Sequence, residues 1–166
     1  MRIGINGFGR IGRLFFRALW GSPGIELAHV NDPAGDAATA AHLLAFDSVH
    51  GRWPVAVGAS EGVPGDGQGF SVGDTAVGWS MESDPTAVPW RQAGVEMVLD
   101  CSGRFKTPET LRPYFDQVGM RRVVVACPVK GEIDGVEALN IVYGINHQVY
   151  EPERHRLITA ASCTTN

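Results

Sequence analysis

Apolar residues follow two patterns along the chain, short continuous runs and longer segments in which they recur every three or four positions. The continuous runs are rich in β-branched residues and bounded by glycine or polar turn residues, which is typical of buried strands. These runs are 2–6, 25–32, 95–103, 121–128, 139–146 and 156–162. The helically spaced segments are 10–21, 36–46 and 108–119.

Local signals refine the helices and the region between them. The apolar face of the first predicted helix consists of Ile11, Leu14, Phe15, Ala18 and Leu19. Asp36 is expected to cap the second helix, and Pro113 to shorten or kink the third. Glycines and turn residues crowd positions 51–80, where we expect short antiparallel strands.

The alternation of strands and helices predicts an α/β fold. We expect a Rossmann-type, doubly wound, mostly parallel sheet covered on both faces, with a small antiparallel insertion around 51–80. The length of 166 residues fits a single domain, residues 1–166, with a core of ordinary size.

Composition and charge narrow the function. A net charge of −4 without any basic run argues against nucleic-acid binding. The sequence shows neither an apolar stretch near the roughly 18 residues of a membrane span nor a secretory signal, so a cytoplasmic protein is expected. The three cysteines have neither disulfide nor metal-site spacing, and no metal is expected.

The segment "GFGRIG" places Gly7, Gly9 and Gly12 in the spacing G-x-G-x-x-G, after a predicted strand and at the start of a predicted helix. This context is the fingerprint of dinucleotide binding. Gly7 allows the tight turn, Gly9 lets the backbone approach a pyrophosphate, and Gly12 permits close packing of helix and strand. The helix start offers N–H groups to the phosphates.

Asp32 lies 20 residues after Gly12, at the end of the second predicted strand. An acid at this place accepts a hydrogen bond from the ribose 2′-hydroxyl and repels a 2′-phosphate. The following "PAGD" offers no basic residue for that phosphate, so NAD is predicted rather than NADP. The alternative is a turn aspartate that precedes Pro33.

Cys163 follows a predicted strand and precedes residues that could begin a helix. A helix N-terminus favours a thiolate, and its N–H groups can hold an oxyanion. Together with an NAD fold, this arrangement suggests aldehyde oxidation through a thioester. The alternative for Cys163 is a buried structural cysteine, the interpretation we give to Cys101 and Cys127 within their apolar strands.

With these pieces in place, the sequence resembles the amino-terminal, NAD-binding half of glyceraldehyde-3-phosphate dehydrogenase, from Met1 to Asn166. The resemblance is carried by "INGFGRIGR" (5–13), "VND" (30–32), "DSVHGRW" (47–53), "CSGRF" (101–105), "YGINHQVYEP" (143–152) and "ASCTTN" (161–166). It implies that the chain is cut at the domain junction, just after the cysteine. The substrate domain and the family's general-base histidine would lie outside the chain.

The resemblance also implies roles for matching residues. Cys163 is the expected nucleophile, with Ser162 and Thr164 binding a phosphate beside it. The expected cofactor residues are Gly7, Phe8, Gly9, Arg10, Ile11, Gly12, Asn31, Asp32, Ser83, Ser102, Gly103, Phe105 and Ala126. Among these, Ser83 and Ala126 depart from the family's commonest residues, arginine and serine, so side-chain contacts made by those residues would be lost.

The implied activity is NAD-dependent, phosphorylating oxidation of glyceraldehyde 3-phosphate by a homo-oligomeric enzyme. Erythrose-4-phosphate dehydrogenase is an alternative that shares most of these motifs. The segment "NDPAGDAATAAHLL" is also similar to the branch of the family associated with arsenic-resistance operons, in which arsenate replaces phosphate. A further alternative is that the chain alone is a cofactor-binding module without turnover.

Overall fold

The computed structural model describes residues 1–63 and 67–160. Its helices are α1 (Arg10–Leu19), α2 (Ala37–Ala45) and α3 (Pro108–Asp116), with a 3-10 turn at His147–Val149. Its strands are β1 (Arg2–Asn6), β2 (Glu26–Asn31), β3 (Phe46–Asp47), β4 (Gly51–Arg52), β5 (Val57–Val63), β6 (Gly67–Val72), β7 (Thr75–Ser80), β8 (Met97–Asp100), β9 (Arg122–Val125), β10 (Glu132–Ile133), β11 (Val136–Glu137), β12 (Leu139–Ile141) and β13 (Leu157–Ala160).

One nine-stranded sheet organises the described residues, in the order β12-β13-β9-β8-β1-β2-β7-β6-β5. Neighbours from β12 to β7 pair in parallel, whereas β7, β6 and β5 pair antiparallel. The chain runs outward from β1 through β2 to β7, and then from β8 outward on the other side. The order therefore reverses between β1 and β8, as in a doubly wound sheet, which confirms the predicted fold class.

Helices and loops cover both faces of the sheet with separate cores. On one face, Phe16 of α1 and Leu44 of α2 pack with Ile5, Val30 and Val77 of the strands. On the other, the core combines side chains of α3, of the 88–95 segment and of the central strands, among them Leu111, Tyr114, Trp90, Val98 and Val123. In the described part of the chain, no helix is long and apolar enough to cross a membrane.

Several predicted bounds were too wide. The run 139–146 is a strand only over Leu139–Ile141, because the Asn146 side chain accepts from Val142 N–H and donates to Asn140 O, folding the rest into a turn. The buried side of α1 is also not the predicted apolar face. Gly12 and Phe16 are buried, whereas Ile11 is 50% exposed.

Other local predictions are confirmed. The Asp36 carboxylate caps α2 by accepting from Thr39 N–H at 2.8 Å. Helix α3 contains Pro113 and ends at Asp116, before the predicted end at 119. Residues 51–80 form antiparallel pairs as expected. A hairpin formed by β10 and β11 was missed, although its Asp134–Gly135 turn, with φ of 55° and 74°, has a typical hairpin sequence.

His29 of β2 is buried among apolar groups on the α3 side of the sheet. Its ring meets the Trp90 ring edge to face at 5.5 Å, and Nε2 lies 2.9 Å from Ser80 Oγ. Gly78 leaves the space for the imidazole, since a Cβ there would overlap the His29 ring. Burial lowers the pKa of His29 from 6.5 to about 4, so the folded protein holds the neutral imidazole at neutral pH.

We expect His29 to make stability pH-dependent. The unfolded chain binds a proton that the folded protein excludes, so the free energy of unfolding falls as pH drops from 6.5 towards 4. The loss attributable to His29 approaches about 3 kcal/mol at the lower pH. Denaturant unfolding of wild type and His29→Gln across this range measures the difference. His155→Gln, at a buried histidine elsewhere, is the control, and an unchanged pH slope in His29→Gln would contradict the assignment.

Candidate functional site

The candidate site lies where the order of the sheet reverses, at the carboxyl ends of β1 and β8. Gly7 follows β1 with φ of +89°, and its N–H donates to Asn31 O at 2.8 Å. A Cβ on Gly7 would lie 2.5 Å from Ser102 N, just beyond β8. Only glycine therefore allows both the turn and the contact between the two loops.

The start of α1 provides the expected donors for a pyrophosphate. Gly9 is the N-cap and provides no side-chain acceptor, and the first intrahelical bond runs from Arg13 N–H to Gly9 O at 3.1 Å. The N–H groups of Arg10, Ile11 and Gly12 therefore have no helical partner. A Cβ on Gly9 would meet no atom within 4 Å, whereas one on Gly12 would overlap the Gly7 carbonyl oxygen. These features fit a dinucleotide that approaches the backbone at Gly9.

Asp32 holds the glycine loop to the end of β2. Its Oδ2 accepts from Phe8 N–H at 2.6 Å, and its Oδ1 accepts from Ala34 N–H at 2.8 Å. Asp32 is therefore a turn residue as well as a candidate ribose ligand, so the two interpretations of its sequence position are compatible. Each carboxylate oxygen retains a second lone pair that can accept a hydrogen bond from a hydroxyl group.

Asn31 supports the site through its neighbours. The side chain is 1% exposed, and Nδ2 donates to Asn6 Oδ1 and to Glu82 O. Oδ1 accepts from Ser80 Oγ and from Glu82 N–H. Its amide therefore pairs with the Glu82 backbone like a strand neighbour and holds the turn that carries Ser83, which is exposed.

Asp100 is the centre of a buried polar cluster that sequence reasoning missed. The carboxylate is 1% exposed, and its Oδ2 accepts from Asn6 Nδ2 at 3.0 Å and from the Tyr114 hydroxyl at 2.8 Å. Its Oδ1 accepts from Ser102 N–H and Ser102 Oγ at 3.1 and 2.7 Å. The sequence signal was present, since Asn6 and Asp100 are polar residues that end apolar strand runs.

The other expected cofactor residues lie around this cluster. Gly103 follows Ser102 with φ of +67° and is exposed. Phe105 is half-buried, and its ring is nearly perpendicular to that of Tyr114, with 6.1 Å between the ring centroids. Ala126 N–H donates to Asp100 O at 2.9 Å, which places the residue beside the end of β8. The structure thus brings the glycine loop, the residues after β8 and Ala126 to one edge of the sheet.

The expected nucleophile and phosphate ligands, Cys163, Ser162 and Thr164, lie outside the described residues. Of the other cysteines, Cys101 is packed against the core, and burial, with a smaller effect of Asp100, raises its thiol pKa to about 12. Burial also raises the pKa of Cys127. A raised pKa disfavours the thiolate, which is the nucleophilic form, at both positions.

Two cavities differ in their relation to these residues. One of about 170 Å³ adjoins the glycine loop and is lined by Phe8, Gly9 and Asp32. A larger one of about 630 Å³ lies beside His29 and Gln68 and is lined by none of the expected site residues. We place the candidate site at the carboxyl ends of the central strands, because the N–H groups at the start of α1 and the Asp32 carboxylate lie close together there. Within the described residues, no group of three or more His, Cys, Asp or Glu side chains could hold a metal ion.

Comparison with known proteins gives a family for this architecture. Residues 1–108 match the family model described as the NAD-binding domain of glyceraldehyde 3-phosphate dehydrogenase. That stretch contains the glycine loop, Asp32 and the Ser102–Phe105 segment.

Named relatives align with the whole chain. Glyceraldehyde-3-phosphate dehydrogenase 3 of Nostoc is 52% identical over 100% of this chain and 46% of its own length. Glyceraldehyde-3-phosphate dehydrogenase 1 of Streptomyces avermitilis is 43% identical, and the glyceraldehyde-3-phosphate dehydrogenase of Geobacillus stearothermophilus 39%, with the same coverage of 100% and 46%. The chain thus spans about half the length of the curated relatives it matches.

Alanine substitutions should distinguish the roles of Gly9 and Gly12 at the start of α1. Gly12→Ala should lower the free energy of unfolding by about 1–3 kcal/mol, because the methyl group overlaps the Gly7 carbonyl. Gly9→Ala should fold normally, yet its methyl group would occupy the approach of the pyrophosphate and weaken NAD binding by about tenfold or more. Thermal denaturation and titration calorimetry measure the two effects. If the Gly9→Ala protein bound NAD with wild-type affinity, the pyrophosphate could not lie against the backbone at Gly9.

Proposed function

The chain belongs to the glyceraldehyde-3-phosphate dehydrogenase family, and on that premise we propose that the protein oxidises glyceraldehyde 3-phosphate with NAD and inorganic phosphate. Residues 1–166 would form its NAD-binding domain. The observation that carries the proposal is the glycine loop bonded to Asp32 at the reversal point of the sheet. It is supported by identities of up to 52% over the whole chain.

The cofactor residues divide into two groups in this proposal. The N–H groups at the start of α1 bind the pyrophosphate, and the Asp32 carboxylate accepts from the adenosine ribose. The residues after β8, from Ser102 to Phe105, line the adenine side. NAD supplies the hydride acceptor when it is bound. Asn31 would border the cofactor and hold the turn after β7, whereas the buried Asp100 would hold the loop after β8 without touching NAD.

The chemistry is assigned to Cys163. Its sulfur would add to the aldehyde carbon and give a hemithioacetal. Loss of a hydride from that carbon, for which NAD would be the acceptor, and of the hydroxyl proton to the family's general-base histidine would leave an acyl thioester. Phosphate oxygen would then attack the acyl carbon and release the thiolate. Ser162 and Thr164 would bind phosphate beside the sulfur. The raised pKa values of Cys101 and Cys127 support this choice of nucleophile, because neither forms thiolate readily.

Cys163→Ser should lower NADH production from glyceraldehyde 3-phosphate by about three orders of magnitude or more in the full-length protein, because a hydroxyl replaces the nucleophilic thiol. Cys127→Ser is the matched control and should retain activity. The assay, read at the absorbance of NADH, should include erythrose 4-phosphate as substrate and arsenate as acceptor. Faster turnover of erythrose 4-phosphate than of glyceraldehyde 3-phosphate would contradict the proposed substrate. Full activity of Cys163→Ser would contradict the proposed nucleophile.

Asp32→Asn should reduce the preference for NAD over NADP. The substitution removes the charge that repels a 2′-phosphate and weakens a charged hydrogen bond of about 1.5–3 kcal/mol, so the ratio of the two Kd values should fall about tenfold or more. It also leaves Phe8 or Ala34 N–H without its carboxylate acceptor, so some stability is lost too.

Asp36→Asn is the matched control for this experiment. It removes the same charge four residues away, on an exposed side chain whose helix cap asparagine also supports. Titration calorimetry with both cofactors should show a change of preference at Asp32 that exceeds the one at Asp36. Equal changes of cofactor preference in the two variants would mean that the effect comes from the lost negative charge alone, and would contradict a specific ribose contact of Asp32.

A further inference from the structure

The contacts of Tyr114 extend from the buried face of α3 to the end of the sheet where the cofactor is proposed to bind. We infer that the Tyr114 hydroxyl is a positioning group for the Ser102–Phe105 segment and thereby for the adenosine end of NAD. This inference rests on the proposed placement of NAD at that segment. Tyr114 belongs to α3, is 0% exposed and cannot touch the cofactor itself.

Tyr114 fixes one oxygen of the Asp100 carboxylate. Its hydroxyl donates to Asp100 Oδ2 at 2.8 Å and accepts from Asn6 Nδ2 at 2.7 Å. Asn6 Nδ2 also donates to the same Oδ2 at 3.0 Å. The three groups close a buried triangle between β1, β8 and α3, which leaves the carboxylate no freedom to rotate.

The second oxygen of Asp100 transmits this orientation to the loop. Oδ1 accepts from both N–H and Oγ of Ser102, and Ser102 Oγ in turn accepts from Arg104 N–H at 3.2 Å. These bonds shape the turn in which Gly103 has positive φ. Ser102 also packs directly beneath Gly7. A carboxylate that rotates would therefore shift both loops of the proposed site.

The aromatic ring and the hydroxyl of Tyr114 have separable roles. The ring fills the core beside Leu111 and Phe115 and lies nearly perpendicular to the Phe105 ring, which phenylalanine would do equally well. The hydroxyl alone reaches Asp100 and Asn6. Burial, followed by the Asp100 charge, raises its pKa well above the usual value, which keeps the proton available for donation.

Tyr114→Phe in the full-length protein tests the inference. The variant should fold, and its Kd for both NAD and ADP-ribose should rise by about threefold to tenfold. ADP-ribose is included because it lacks the nicotinamide, so an equal effect on it shows that the change does not arise at the nicotinamide end. Val118→Ala is the control, since Val118 is a buried core residue of the same region without a bond to Asp100. It should lose stability but retain both Kd values.

Two further measurements separate positioning from general destabilisation. In a Ser102→Ala background, Tyr114→Phe should raise the Kd less than in wild type, because the loss of Ser102 Oγ has already weakened the connection through Asp100 to the backbone N–H bond alone. Hydrogen exchange of the Ser102 and Arg104 amides, without cofactor, should quicken in Tyr114→Phe and not in Val118→Ala. Unchanged exchange, additive effects, or an unchanged Kd would overturn the inference. Absence of NAD binding in wild type would instead overturn the proposed cofactor placement.

Discussion

The buried carboxylate of Asp100 is the interaction on which the arrangement of the site depends. A carboxylate removed from water is costly unless its acceptor positions are filled, and here four donated hydrogen bonds fill them. The donors come from β1, from α3 and from the loop after β8. The hydrogen bonds of the buried Asp100 carboxylate are therefore complete only when the loop after β8 holds this position. A change in any donor leaves the carboxylate under-bonded and favours rearrangement of that loop.

Gly7 connects the loop held by Asp100 to the turn after β1 and, through it, to the end of β2. Because Gly7 lacks a Cβ, the turn after β1 packs against Ser102, which Asp100 holds. Asp32 then ties the next residue, Phe8, to the end of β2. Three neighbouring parallel strands thus end in loops that are bonded to one another. The helix N-terminus that follows is positioned by this set of contacts, and its N–H groups are oriented before any ligand arrives.

The sequence predicted the features that depend on neighbouring residues. Strand runs, the Asp36 cap and the glycine spacing are local, and all appear in the structure. In the Asp100 cluster, Asn6 bonds to Asp100 and to Tyr114, which lie 94 and 108 positions further along the chain. Contacts between residues so far apart leave no periodic pattern in the sequence. The strand predicted over 139–146 ends at Ile141, because the Asn146 side chain bonds to backbone groups that would otherwise continue the sheet. Only the structure shows that the bonds from Asp32 to backbone N–H groups leave lone pairs free for the proposed ribose contact.

The second role proposed for Asp32 has a consequence for how cofactor preference is encoded. The carboxylate orients the glycine loop, and in the proposed binding mode it would also present the charge that disfavours a 2′-phosphate, so preference for NAD and the shape of the pyrophosphate site would not be independent. Replacing the residue to admit NADP would loosen the loop on which either cofactor depends. A protein of this design that accepted NADP would need a second acceptor for Phe8 N–H. In this chain the residues after Asp32, "PAGD", offer no cation for the phosphate, so both requirements favour the unphosphorylated ribose.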